Sequence, residues 1–375
     1  MKKLTFFILC FEGAVLSFNI AAVSALVPSI AKEFALSQFF VGNTIWLYMI
    51  PYGVAALIYG PLVRAIDARK VELACMSLFA LANLLAALAK NIYILFAARF
   101  LMGLFGASVI PLGLIVIAKH IDPAKRGRFV GIFFGSTFVA SLLGLLLSGI
   151  LHWRLIFLIP AIAGFLLTFV MFFLLPSFQE DVTGFQANYL GAFRIRKILA
   201  IFAYIFLASL LYHGVQQWLA VYFSSEFGLQ QLIISSLITL TSLSGVFGEV
   251  IGGLFSDSLG RVKTINFGII LMAISVFSLI FKMPVALLAV IMIIWGFGWT
   301  LNHVGLSTML TDLPKEFLNE AASLNSGVRF LSGGLGVAVS GILMQKSFTL
   351  GFVTFGLCLL LLLVFTYTLK GRLSV

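Results

Sequence analysis

Twelve segments of about 20 mostly apolar residues follow one another along this chain, separated by short polar connections. A helix needs about that length to cross the hydrocarbon core of a bilayer. Long apolar runs with glycine, without strict alternation, predict helices and not a β-barrel. We therefore predict an all-α polytopic membrane protein with twelve transmembrane helices. The predicted spans are 4–29, 38–59, 71–89, 92–118, 129–150, 155–175, 198–223, 232–256, 262–281, 284–309, 321–344 and 347–369.

The basic residues lie mostly on one side of these spans. With the N-terminus inside, seventeen Lys and Arg residues fall in inner connections and five in outer ones, while Arg99 and Arg329 lie within spans. This asymmetry matches the positive-inside rule and predicts a multi-pass protein of the cell inner membrane with both termini cytoplasmic. The net charge is +11, and the seventeen inner basic residues are spread over seven short segments that face one leaflet. We therefore expect lipid, and no nucleic acid, as the partner of this charge.

Two pairs of similar segments indicate an internal repeat. Residues 60–70 (GPLVRAIDARK) and 253–263 (GLFSDSLGRVK) lie 193 positions apart, and each joins a second predicted helix to a third. Residues 144–151 and 336–343 share five identities at an offset of 192. Since each half holds six spans, the two repeats should run parallel. The predicted domains are an N-terminal six-helix bundle (1–175), a cytoplasmic central loop (176–197) and a C-terminal six-helix bundle (198–375).

The turn between predicted helices 8 and 9 carries a charged signature. Its residues are Gly253, Asp257, Gly260, Arg261 and Lys263. This pattern resembles the loop signature of the major facilitator superfamily. The resemblance implies a gating role, in which a carboxylate pairs with basic groups in one state and releases them in the other. A tight cytoplasmic turn with anchoring charges is the alternative. In the first half Arg64 replaces the acid, so a latch there must use a different pairing.

Further motifs resemble the twelve-span drug:proton antiporter branch of that superfamily. Helix 4 places Arg99 within its span, helix 11 contains AASLNSGVR ending at Arg329, and residues 152–154 (HWR) precede helix 6. Two features depart from the branch. Helix 5 lacks its proline, and Asn19 stands where helix 1 usually has an acid. The resemblance implies a secondary transporter that works by alternating access, with proton-coupled export of a hydrophobic or amphipathic small molecule.

Two acids are candidates for carrying the proton. Glu12 and Glu249 each lie within an apolar helix, about eight residues or roughly 12 Å from its cytoplasmic end. A carboxyl group at such depth is costly to ionise, so that protonation and solute binding can be linked there. The alternative is a permanent ion pair of either glutamate with Arg99 or Arg329.

Polar and aromatic residues at helical spacing predict a cavity for an amphipathic solute. They stand out from the Leu, Ile and Phe background of the helices. Anionic cargo would favour the two arginines as ligands, and cationic or neutral cargo the two glutamates. The candidates for lining the cavity are Asn19, Arg99, His213, Gln216, Gln217, Trp295, Trp299, Asn302 and Arg329.

Small residues four positions apart predict sites of close helix packing. Gly131 and Gly135 show this spacing in helix 5, and Ser332, Gly336 and Ser340 show it in helix 11. We expect neighbouring helices to approach closely at all five positions.

Several classes of function find no support in these residues. No phosphate-binding loop follows a strand, and no set of nucleophile, base and metal ligands is visible. We therefore expect neither an enzyme nor a protein with a cofactor or metal, and we expect a monomer that binds a small molecule and a proton. A metabolite carrier for a sugar, amino acid or organic acid is the nearest alternative. A non-transporting membrane receptor or scaffold with the same fold is an alternative from another class.

Overall fold

The computed structural model describes residues 3–177, 189–311 and 318–373, and within them it contains helices and turns but no strand. The chain divides into two compact units, Met1–Ala187 (unit 1) and Asn188–Val375 (unit 2). The described helices of unit 1 are α1 Lys3–Ser17, α2 Ala22–Phe34, α3 Gln38–Val41, α4 Asn43–Ala65, α5 Ala68–Ala87, α6 Ile92–Gly106, α7 Val109–His120, α8 Pro123–Ser148 and α9 Trp153–Leu174. Those of unit 2 are α10 Tyr189–Arg194, α11 Arg196–Gln216, α12 Leu219–Phe227, α13 Gln231–Ser258, α14 Arg261–Ser278, α15 Val285–Thr311, α16 Leu318–Lys346 and α17 Phe348–Leu373.

Twelve of these helices or helix pairs are long and apolar enough to cross a membrane, six in each unit, which confirms the predicted all-α, twelve-span fold. The first span of each unit is a pair of helices, Lys3–Phe34 and Arg196–Phe227, and both are 32 residues long. Each ends at a residue in the left-handed region, Ala35 (φ 53°) and Gly228 (φ 62°). The first span is longer than the predicted 4–29, since the helix continues through two charged residues before this turn.

The same tight contact occurs once in each unit. A Cβ atom added to Gly144 on α8 would lie 1.6 Å from the carbonyl oxygen of Phe18, at the break between α1 and α2. A Cβ added to Gly336 on α16 would lie 2.1 Å from the carbonyl oxygen of Leu210 on α11. The two glycines are 192 positions apart in the sequence, and so are the two residues whose carbonyl oxygens they approach. Glycine is required at both places because any side chain would collide with backbone.

A second contact repeats at an offset of 193. A Cβ at Gly103 on α6 would lie 2.2 Å from the oxygen of Tyr48 on α4, and one at Gly296 on α15 would lie 2.0 Å from the oxygen of Thr241 on α13. The repeat inferred from sequence is therefore present in the packing of the backbone inside each unit.

The expected packing at Gly131 and Gly135 is wrong. A Cβ at either position would meet no described atom within 4 Å, and both residues are exposed. Helix α8 instead approaches α1 at Gly13, where a Cβ would lie 2.7 Å from Cγ2 of Thr137. Small-residue spacing alone does not tell which face of a helix is covered.

Glu33 and Arg154 together join three helices at one end of unit 1. Its carboxylate accepts hydrogen bonds from Trp153 Nε1 (2.5 Å) and from Arg154 Nη2 (2.7 Å). Arg154 Nη1 also donates to the carbonyl oxygen of Ala87 (2.8 Å). The tryptophan and arginine of the HWR motif thus connect α9 with the ends of α2 and α5, and these contacts explain the motif structurally.

Candidate functional site

Two buried carboxyl groups lie close together in unit 1. Glu12, in the third turn of α1, is 1% exposed, and Glu72, in the second turn of α5, is fully buried. None of their four oxygens has a hydrogen-bond donor among the described residues. The two carboxyl groups interact electrostatically with each other, and both interact with Cys75. The pair is therefore an acidic site inside an apolar bundle.

Cys75, which interacts with both carboxyl groups, forms its hydrogen bond with another residue. Cys75 Sγ donates to the hydroxyl oxygen of Tyr59 (3.3 Å), and that hydroxyl donates to the carbonyl oxygen of Leu104 (3.1 Å). An ionised carboxylate without a donor or counter-charge is expensive to bury. The arrangement can consequently hold a proton, and it can release that proton only when water or a cation reaches it.

Sequence reasoning missed Glu72. The predicted third span began at residue 71, which would place this acid at the membrane surface. Helix α5 instead begins at Ala68, because the Asp67 side chain caps it and accepts a hydrogen bond from the backbone N–H of Arg69 (3.0 Å). The earlier start carries Glu72 into the bundle. An aspartate followed by an apolar run is a helix-start signal that could have located it.

Asn19 and Arg99, both predicted to line the cavity, are buried by contacts inside unit 1. Asn19 Nδ2 donates to Asn83 Oδ1 (2.6 Å) and so links the α1–α2 break to α5. Arg99 Nε donates to the carbonyl oxygen of Thr44 (3.1 Å), and its guanidinium carbon lies 4.3 Å from the centroid of the Tyr48 ring. These contacts hold helices of unit 1 together.

Three aromatic rings stack in unit 2. Tyr212 on α11 lies 3.9 Å from Trp299 and 5.2 Å from Trp295, centroid to centroid, with interplanar angles of 7° and 19°. Trp295 Nε1 donates to Gln216 Oε1 (2.7 Å). Positions four apart on a helix share a face, so Tyr212 with Gln216 and Trp295 with Trp299 form matching surfaces of α11 and α15.

A buried arginine and two histidines adjoin this stack. Arg329 on α16 is 8% exposed, and its Nε donates to Asn325 Oδ1 (2.7 Å). Its guanidinium carbon lies 5.9 Å from the Trp299 centroid, and neither Nη atom has a partner among the described residues. The rings of His213 and His303 lie 5.8 and 6.0 Å from Trp299. Five predicted site residues, His213, Gln216, Trp295, Trp299 and Arg329, are thus brought together.

The other candidates of unit 2 lie at the edge of this cluster or beyond it. Gln217 is half-buried, with Nε2 3.4 Å from Nδ1 of His213, while Asn302 is fully buried beside Tyr204. Glu249 is 61% exposed and lies 3.9 Å from His303 Nδ1. In the ranges that the structure describes, neither Glu249 nor Glu12 forms an ion pair with either intramembrane arginine.

The predicted gating turn lies between α13 and α14. Gly260, with φ 89°, precedes the first residue of α14 and adopts a conformation that favours glycine. Asp257 and Lys263 are exposed, and Arg261 is half-buried. Gly253 has room for a side chain, since a Cβ there would meet no described atom within 4 Å.

The corresponding turn of unit 1 is held by other contacts. Asp67 Oδ2 accepts a hydrogen bond from Ser177 Oγ (2.5 Å), and Arg69 Nη2 donates to the carbonyl oxygen of Phe172 (2.5 Å). This turn is therefore tied to α9 and to the residues after it. Arg64, which replaces the signature acid, has a side chain outside the described part of the chain.

Comparisons with known proteins agree with this architecture. The sequence profile of the Major Facilitator Superfamily matches residues 9–337, with a second match over 233–372. The chain is 22% identical over 331 residues to an uncharacterized MFS-type transporter, YbcL, of Bacillus subtilis (strain 168), covering 86% of this chain and 84% of YbcL. It is 24% identical over 360 residues to the purine ribonucleoside efflux pump NepI of Salmonella enteritidis, covering 94% and 89%.

Among solved structures, a bacterial homologue of the human lysosomal transporter Spinster has a similar fold. The TM-score is 0.80 at 12% identity, and the alignment covers 98% of this chain and 96% of the other. Since the superfamily profile extends over nearly the whole chain and the twelve spans are present, the chain belongs to the Major Facilitator Superfamily and is a membrane transporter.

Proposed function

We propose that this transporter exports hydrophobic or amphipathic small molecules by alternating access, and that inward proton movement drives the export. The observation that carries the proposal is the Glu12–Glu72 pair, two buried carboxyl groups without hydrogen-bond donors among the described residues. NepI, which covers most of the chain, is named an efflux pump, and this supports export as the direction.

The physical basis of the coupling is the cost of charge in an apolar bundle. Two adjacent carboxylates repel each other when both are ionised. While water is excluded from Glu12 and Glu72, the pair therefore retains at least one proton. Opening toward water on one side lowers the cost of ionisation and lets that proton leave. A carrier that reorients more easily with the pair protonated would then link proton entry to solute exit.

We propose that Glu12, together with Glu72, carries the transported proton. Glu249 is the second candidate for this role. Glu249 lies within ion-pair distance of His303, whereas neither carboxyl oxygen of Glu12 has a hydrogen-bond partner among the described residues. We therefore expect Glu249→Gln to have the weaker effect on coupling.

Everted membrane vesicles test the proposal directly. Accumulation of a broad compound panel is measured with and without a proton gradient, in the wild type and in Glu12→Gln and Glu72→Gln. Each variant should exchange substrate across the membrane but fail to concentrate it. Glu226→Gln is the matched control, because Glu226 is an exposed acid near the end of α12. Gradient-driven accumulation that survives in Glu12→Gln, Glu72→Gln and Glu249→Gln would show that any proton takes another route.

The same panel separates the alternatives. Sugars, amino acids and organic acids are included, so that movement of one of these alone would identify a metabolite carrier. A chain that binds a compound but moves none, in either direction and under any gradient, would instead be a receptor or scaffold.

We also propose that the protein lies in the cell inner membrane with both termini in the cytoplasm. The support is the seventeen-to-five distribution of Lys and Arg between inner and outer connections. Single cysteines at positions 2, 190, 262 and 372 should resist an impermeant thiol reagent in intact cells, and those at 33, 91, 226 and 282 should react. Labelling of position 372 from outside would contradict this orientation.

A further inference from the structure

Unit 2 contains a buried positive charge that no described acid neutralises. Arg329 is 92% buried, and within the described ranges it forms no ion pair. Both of its Nη atoms are without a hydrogen-bond partner among those residues. A buried guanidinium whose outer nitrogens are unused is costly, so it is a candidate for binding an anion from outside the chain.

The guanidinium is already held in place. Its Nε donates to Asn325 Oδ1 at 2.7 Å, and Asn325 lies one helical turn before it on α16. This hydrogen bond leaves free the two Nη groups, whose parallel N–H bonds match the two oxygens of a carboxylate. A ligand anion would therefore meet a side chain that needs little further ordering.

The surface beside Arg329 is aromatic. Its guanidinium carbon lies 5.9 Å from the centroid of Trp299, which is itself stacked on Tyr212. Trp299 and the two neighbouring histidines are half-buried, so the cluster has an accessible side. The two Nη atoms are themselves buried, so an anion would reach them where the alternating-access cycle opens this cluster. A carboxylate bound at the Nη atoms would bring a ring attached to it within reach of these faces, and flat rings favour stacking contacts.

Arg99 in unit 1 shows how an arginine serves packing. It is 1% exposed, its guanidinium lies over the Tyr48 ring at 4.3 Å, and its Nε donates to a backbone carbonyl. Of the two Nη atoms of Arg99, Nη1 has no described hydrogen-bond partner. In Arg329 both Nη atoms are without one. The ring contact of Arg329 is also 1.6 Å longer by these two distances, so this side chain is the less completely engaged of the two.

We propose that Arg329, Trp299 and the adjoining histidines form a binding site for a planar aromatic anion, such as an aromatic carboxylate. Arg329 pairs with the carboxylate, Trp299 stacks on the ring, and His213 and His303 contribute polar edges around it. The proposal rests on the proposed transport function and gives it a substrate class. An aromatic carboxylate is also amphipathic, as that function requires.

Binding of 2-naphthoate and of its neutral analogue 2-naphthamide to the purified full chain, measured by titration calorimetry, tests the site. The wild type should bind the anion at least about tenfold more tightly, because charge-assisted hydrogen bonds to Arg329 are lost in the amide. Arg329→Gln should weaken naphthoate binding about 10- to 100-fold and leave naphthamide binding unchanged. Lys346→Gln, which removes an exposed positive charge from the same helix, should alter neither.

A second measurement uses the wild type alone and so does not depend on the folding of a variant. Phenylglyoxal modification of Arg329, followed by mass spectrometry, should be slowed by naphthoate and not by naphthamide. Equal affinity for the two compounds, or no protection of Arg329, would overturn the proposal. Neither assay uses a proton gradient. Naphthoate binding that persists while Glu12→Gln still concentrates substrate would therefore contradict the coupling role and leave this site standing.

Discussion

Units 1 and 2 repeat the same backbone contacts, but the buried pair of acids in unit 1 has no counterpart at the equivalent positions of unit 2. At the offset of 192 set by the Gly144 and Gly336 contacts, Glu12 corresponds to Tyr204. At the offset of 193, Glu72 corresponds to Ile265, which is also fully buried. Both members of the acidic pair are thus replaced in unit 2 by side chains that carry no charge.

The aromatic and basic cluster is likewise confined to one unit. Arg329 corresponds at an offset of 192 to Thr137, whose hydroxyl donates to a backbone carbonyl one turn earlier. Trp299 corresponds at 193 to Gly106, which packs against helix side chains. The comparison teaches that glycines and turns maintain the shared scaffold, while unrepeated polar side chains give each unit a different chemical task.

The largest expected effect tests the shared scaffold. Gly144→Val and Gly336→Val should each lower stability by at least about 3 kcal/mol, because the new side chain collides with a backbone carbonyl. The midpoint of thermal unfolding in detergent measures this loss. Gly131→Val is the control, since its side chain would meet no described atom, and it should change stability by less than about 1 kcal/mol. If valine is tolerated at only one of positions 144 and 336, the two contacts are not structurally equivalent.

The next prediction concerns the difference between the units. Glu72→Ile installs the residue of unit 2 and removes a buried carboxyl group without a described donor, so it should raise stability by about 1–3 kcal/mol while abolishing gradient-driven accumulation. The reciprocal change, Ile265→Glu, should destabilise unit 2. Thermal unfolding and vesicle transport provide the two measurements. A lower unfolding temperature for Glu72→Ile would mean that this acid stabilises the bundle and does not serve coupling alone.

The smallest expected effect distinguishes the α13–α14 turn of unit 2 from the α4–α5 turn of unit 1. Asp257→Asn should shift the population toward the inward-open form by about 1–2 kcal/mol, on the proposal that Asp257 with Arg261 and Lys263 favours closure on the cytoplasmic side. Accessibility of a single cysteine at position 217 to thiol reagents from each side, in a background without the native cysteines, measures the shift.

Asp67→Ala in unit 1 is the comparison for this turn. Asp67 caps α5 and contacts Ser177, so we expect its loss to lower stability by about 1 kcal/mol. Unchanged accessibility from both sides in Asp257→Asn would remove the gating role from that residue.

The fold was largely predictable because a bilayer leaves few choices. A backbone in lipid must satisfy its own hydrogen bonds, so each long apolar segment becomes a helix. The aromatic cluster could also be anticipated in part, since Trp295 and Trp299 lie one turn apart on one helix, as do His213 and Gln217. Periodicity predicts which residues share a face of a helix, but not which other helix covers that face.

The sequence by itself therefore determined the twelve spans, the all-α class and the repeat of short motifs, which depend on local composition and spacing. Only the tertiary structure decided that Glu72 lies buried beside Glu12, that Asn19 pairs with Asn83 and that Glu33 binds Trp153. Each of these contacts links residues about 50 or more positions apart, so they depend on how the helices pack. The burial of a polar group, and with it the cost of its charge, is a property of that packing.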